Sequence, residues 1–146
     1  MKRSFLPLVL LIALGFVVKF YWAKHDGSAL SLLHCADITQ SCGNEIFKVK
    51  FAEAPQVMKP LHLKLHMNRA EVIKNIHVDF VMQSMKMGLN RYRLIQVNQS
   101  ADWQAEVILP ICVQGRSDWK MLIEIDSSNE IKRFQLPFAA KANGAN

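Results

Sequence analysis

The chain has 146 residues, 51% of them hydrophobic, with 18 basic against 12 acidic side chains and three cysteines. That length holds one domain plus an anchor or a tail. Four bases (Lys2, Arg3, Lys19, Lys24) flank the N-terminal apolar stretch, so the rest carries 14 bases against 12 acids, a balance of +2; without a basic cluster or aromatic–basic interleaving, nucleic acid is excluded as a partner.

After the basic head Met1-Lys2-Arg3 comes "SFLPLVLLIALGFVVKFYWA", apolar apart from Ser4 and Lys19. About 20 such residues, at 1.5 Å rise each, span the hydrocarbon of a bilayer. Residues 4–23 are therefore expected to be a transmembrane helix. Lys19 lies near the far end, where its stem can snorkel, and Tyr21 and Trp22 suit the interfacial belt. The competing reading is a cleaved signal peptide, but signal cleavage requires small residues soon after the apolar run. Phe20, Tyr21 and Trp22 occupy that place, and Gly27-Ser28-Ala29 comes late. A lipoprotein signal fails as well, because bulky His34 directly precedes Cys35. Lys2 and Arg3 assign the N-terminus to the cytoplasm. The rest of the chain is then expected outside, in the periplasm of a bacterial inner-membrane protein.

Residues 1–24 are read as the anchor and 25–44 as a connector carrying Cys35 and Cys42. From Glu45 onward the apolar positions recur with period two, the mark of half-buried strands. "IFKVKF", "LHLKLHM", "IHVDFVM", "RYRLIQV", "WQAEVILPICV", "DWKMLIEID" and "IKRFQLPF" follow one another, separated by Pro, Gly, Asn and Ser. About seven strands without an amphipathic helix predict an all-β domain over 45–138, an immunoglobulin-like antiparallel β-sandwich. Residues 139–146 are small and polar and read as a flexible tail.

Cysteine chemistry is the first functional question. In an oxidising compartment a disulfide is the ordinary outcome, and three cysteines leave one over. Cys35 can pair with Cys42, or the connector can pair with Cys112; alternatively Cys112 is a buried apolar residue or a thiolate ligand. A thioredoxin-like CxxC is absent. Neither a nucleophile elbow nor a glycine-rich phosphate loop occurs, so the chain reads as a non-enzyme.

The histidines do not make a metal site. His62 and His66 share a strand face, yet four residues of strand separate them by about 13 Å, too far for one ion. Methionine is the stronger candidate. In "VMQSMKMG", Met85 and Met87 point to one side of a regular strand with α-carbons about 6.6 Å apart. Met82 joins them only across a bend at Gln83-Ser84, and otherwise continues the core-facing series. Thioether and thiolate ligands select soft ions, chiefly Cu(I). Core filling is the competing role for methionine.

The stretch "HVDFVMQSMKMGLNRYRL" followed by "WQAEVILPICVQGRSDWKMLIEI" resembles the FixH/YtkA-type domains, over about residues 45–136. The shared elements are a strand running into Met-x-Met, a later strand opened by an aromatic residue, and Gly115-x-x-x-Trp119 before an alternating strand. The resemblance implies one N-terminal membrane helix, an external immunoglobulin-like domain, and copper handling or help in building haem–copper respiratory oxidases. Only Met85 and Met87 match its Met-x-Met element; Cys112 and the Cys35/Cys42 pair depart from it. The expected cofactor is thus Cu(I), held by Met85 and Met87 with Met82 or Cys112 completing the shell. The expected partners are the lipid bilayer, through residues 4–23, and respiratory oxidase subunits or other copper-handling proteins. The alternative is a metal-free interaction module of a membrane complex, and a third reading makes Cys112 a thiol redox sensor.

Overall fold

Alternating burial is what the longer strands of this chain are built on. The computed structural model describes residues 30–82, 88, 90–111 and 117–141, together with Gly15 and Lys19. Ten strands lie among the described residues: β1 (Ser31–Leu32), β2 (Cys42–Gly43), β3 (Phe47–Phe51), β4 (Pro60–Met67), β5 (Ile73–Met82), β6 (Arg91–Arg93), β7 (Ile95–Gln96), β8 (Asp102–Ile108), β9 (Asp118–Ser127) and β10 (Ile131–Ala139). Two five-stranded sheets result, ordered β1-β10-β9-β5-β6 and β2-β3-β4-β8-β7. Pairing is antiparallel throughout, except that β1 runs parallel to β10. The domain is an all-β sandwich.

Both sheets turn their apolar positions to one shared core. In β4, Leu61, Leu63, Leu65 and Met67 are buried while the intervening residues are exposed. In β5, Ile76, Val78, Phe80 and Met82 are buried and the residues between them half-buried. Aromatic rings bridge the sheets: Phe47 of β3 meets Phe134 of β10 with centroids 4.9 Å apart, and Phe51 lies 5.6 Å from Phe138 and 6.2 Å from Phe80. Each fully buried side chain of this size stabilises by about 1.5–3 kcal/mol, and ring pairs add about 0.5–1.5 kcal/mol.

The seven expected runs all carry strand, with three departures. First, "RYRLIQV" is not one strand. β6 pairs with β5 in the first sheet, whereas β7 pairs with β8 in the second. Leu94 lies between them, fully buried, with its N–H on the Ile76 carbonyl at 2.9 Å. Burying that side chain carries the backbone across the sandwich. Second, the strand expected to run to Val113 ends at Ile108. Leu109 is buried, and Pro110 has no N–H to extend the ladder. Third, part of the connector belongs to the sheets, as β1 and β2, which are too short for alternation to show.

The sheet margins are short. The outermost strands β1, β2, β6 and β7 have two, two, three and two residues, so none offers a long unpaired ladder. β10, which β1 covers at two positions, carries Pro137, and beyond it Lys141 donates its N–H to the Pro55 carbonyl at 2.9 Å. The β7–β8 turn uses left-handed Asn98 and Gln99 (φ 47° and 55°), closed by Ser100 N–H on the Val97 carbonyl at 2.8 Å. Two successive positive φ angles match the twist of a hairpin.

The expected membrane helix, residues 4–23, lies outside the described residues apart from Gly15 and Lys19. Among the described residues no helix is long and apolar enough to cross a membrane.

Candidate functional site

Strand directions bring three connections to one end of the sandwich. β4 starts at Pro60 opposite Ile108, the last residue of β8. β5 ends at Met82 opposite Trp119, the second residue of β9. The β3–β4, β5–β6 and β8–β9 connections therefore share this end. Two of them contain the sulfur residues picked out from the sequence.

Met85, Met87 and Cys112 lie outside the described residues. Met82 is described, and is a core residue: it is 3% exposed and continues the inward series of Ile76, Val78 and Phe80. Its partner Trp119 is 1% exposed, and the indole Nε1–H has no hydrogen-bond partner among the described residues.

One residue here was not picked out from the sequence. Met58 is 54% exposed, with a left-handed φ of 59°, and its N–H donates to the Leu109 carbonyl at 2.8 Å. A thioether thus stands exposed on the segment hydrogen-bonded to the start of the β8–β9 connection, three residues before Cys112. Ile108 and Ile111 are exposed at the same end. Met58 stands alone in "QVMKP", so no local spacing signals it; the long-range pairing of β4 with β8 brings it there.

Tyr92 ties this end together. Its hydroxyl donates to the Ile108 carbonyl at 3.0 Å and accepts from the Ile108 N–H at 3.1 Å. β7 pairs with β8 only up to Gln104, so Tyr92 of the first sheet satisfies the backbone groups that β7 leaves open.

Cys35 and Cys42 are joined by a disulfide, with α-carbons 5.5 Å apart. Inside the loop they close, Asp37 accepts from the Thr39 hydroxyl at 2.7 Å and from the Thr39 N–H at 2.9 Å. The Thr39 hydroxyl, followed by the Thr39 N–H, holds the Asp37 carboxyl below its ordinary range.

His62 and His66 are each paired with a carboxylate. His62 Nδ1 lies 3.0 Å from Glu53 and His66 Nδ1 2.7 Å from Asp102. Among the described residues no group of three or more His, Cys, Asp or Glu side chains can hold a metal ion. On the outer face of the first sheet, Arg91 bridges Asp79 and Glu124 at 2.7 Å each, and Arg133 Nε reaches Glu124 at 2.9 Å. The hydrogen bond from Arg133, then that from Arg91, outweighs burial and holds the Glu124 carboxyl below its ordinary range.

In comparison with known proteins, no family model matches the chain, and neither a curated protein nor a solved structure matches it.

Proposed function

We propose that this chain is a membrane-anchored, outward-facing immunoglobulin-like domain that binds or passes on Cu(I), in copper handling or respiratory oxidase maturation. Residues 4–23 anchor it once in a bacterial inner membrane, with the domain in the periplasm. The immunoglobulin-like reading draws on strand order: β3-β4-β8-β7 opposite β10-β9-β5-β6 matches the sequence A-B-E-D opposite G-F-C, with β6 as an added strand. The resemblance to FixH/YtkA-type domains points the same way.

The observation that carries the metal reading is the Met82–Trp119 register. The chain departs from β5 into Met85 and Met87 beside the point where it re-enters β9 from Cys112. Met58 stands at the same end as a further thioether. Thioethers are neutral and soft, so they hold Cu(I) without first losing a proton. Sulfurs about 2.3 Å from one ion must lie within roughly 4 Å of one another. Met82, enclosed in the core, is left to packing.

Titration of the full chain in detergent with Cu(I) against a competing chelator tests this. Met85→Leu/Met87→Leu is expected to weaken binding at least about tenfold, about 1.4 kcal/mol. Unchanged affinity overturns the site. The metal-free alternative is favoured by the exposed Met58, Ile108 and Ile111, an adaptable apolar rim. It predicts membrane-complex subunits captured equally well by the parent and the double variant, with no Cu(I) bound by either.

A further inference from the structure

The two outer sheet faces place their cations differently. On the first sheet, Arg91 and Arg133 are neutralised by Asp79 and Glu124, and Lys120, which forms no ion pair among the described residues, stands opposite Val81 and Pro137. On the second, Lys48, Lys50 and Lys64 are exposed, and none forms an ion pair among the described residues. Lys50 stands directly opposite Lys64 in the β3–β4 register, and Lys48 lies one pleat along, opposite His66. Like charges directly opposite one another destabilise a sheet. On the next strand Lys64 faces Gln104, not an acid. Of the acids flanking Gln104 on that strand, Asp102 is engaged by His66 at 2.7 Å, and Glu106 stands opposite His62, 3.8 Å from its Nε2.

These lysines line a groove of about 380 Å³ together with the His66–Asp102 pair, with Ser41 on one rim and Trp103 and Val97 on the other. Its position relative to the chain's entry says what it faces. Ala23 ends the apolar stretch and Leu30 begins the continuous described part, seven residues on. Seven extended residues reach at most about 25 Å. The chain then passes from β1, at the margin of the first sheet, to β2, at the margin of the second. β2 pairs with β3, the strand that carries Lys48 and Lys50, and Ser41 immediately precedes β2. The basic groove thus opens beside the edge by which the chain arrives from its anchor.

We propose that the Lys48/Lys50/Lys64 groove seats the phosphate headgroup of an anionic lipid in the bilayer that carries the chain. The proposal rests on the anchored reading above. An anionic headgroup supplies counter-charge to the three lysines, whose neighbouring acids Asp102 and Glu106 are turned to histidines, and it lays the second sheet toward the membrane. The sulfur-bearing end is then held at a set height above the bilayer.

The test uses the full chain reconstituted in vesicles of phosphatidylcholine alone, or of phosphatidylcholine and phosphatidylglycerol in equal parts. A membrane-impermeant amine reagent labels exposed lysines, and mass spectrometry reads each site. Lys48, Lys50 and Lys64 are expected to react roughly fivefold more slowly in the anionic vesicles, the scale of one lysine's attraction to such a surface. Lys74 and Lys120 of the first sheet serve as controls and keep their rates. High salt removes the protection, because surface charges are screened. Equal labelling of the three lysines in both vesicles overturns the proposal. Equal protection by inorganic phosphate over neutral vesicles replaces the lipid with a free oxyanion and also overturns it. Flotation with neutral vesicles reads the anchor separately: a chain that does not float loses the anchor and this proposal with it, whereas a chain that floats with uniform labelling loses the lipid site alone.

Discussion

Met82 can be assigned to packing or to metal by one pair of substitutions. It is 3% exposed, and it lies opposite Trp119 at the last register position of β5. Met→Ala in a core costs about 2–5 kcal/mol, through lost burial and the cavity left behind. Met82 closes one end of the sandwich, where neighbours can relax, so the lower part of that range, about 2–3 kcal/mol, is expected. For a domain of roughly 100 residues each kcal/mol moves the midpoint by about 4–8 °C, so Met82→Ala should lower Tm by about 10–20 °C. Met82→Leu keeps the volume and should cost less than about 1.5 kcal/mol. Thermal unfolding of the full chain in detergent, followed by circular dichroism, measures both. Cu(I) affinity of Met82→Leu, measured beside it, should equal that of the parent. A Met82→Leu chain of normal Tm that has lost Cu(I) would make the thioether a ligand and refute the packing assignment.

Gly43→Ala should destabilise by about 1–3 kcal/mol, because a Cβ there would collide with the Phe47 carbonyl oxygen and come within 2.9 Å of Lys48 Cα, both rigid backbone; urea unfolding reads the loss. Cys42→Ala opens a short loop and should cost about 2–3 kcal/mol on loop entropy, matched by the parent under reducing agent in the same unfolding assay. Glu124 has a folded pKa below its ordinary 4.5, so its contribution is present above that value and is lost as pH falls through the lowered one. Glu124→Gln should therefore lower stability at neutral pH by about 1 kcal/mol and flatten the decline below pH 4.5, as Tm measured across acid pH will show.

Strands whose side chains alternate over five or more residues could be read directly from the sequence. β3, β4, β5, β9 and β10 each show Phe, Val, Leu or Ile inward against Lys, His, Asp or Gln, and burial follows that pattern. Where structure depends on partners distant in the chain, the local pattern misleads. Leu94 continues an apparent strand, but its burial moves the chain into the other sheet. β1 and β2 exist only because β10 and β3 lie beside them. At the sulfur-bearing end the same division holds. Met85 and Met87 stand out by spacing, and Met82 by its place in an inward series. Met58 and the buried indole of Trp119 depend on pairings made across tens of residues, which no local window contains.

The stunted strands at the sheet margins bear on how copies of this domain meet one another. An open ladder would let neighbours zip into fibres. With two- or three-residue borders and an imino acid in β10, the border strands themselves give an adjacent copy little to template upon. Crowding is then compatible with each copy remaining separately addressable.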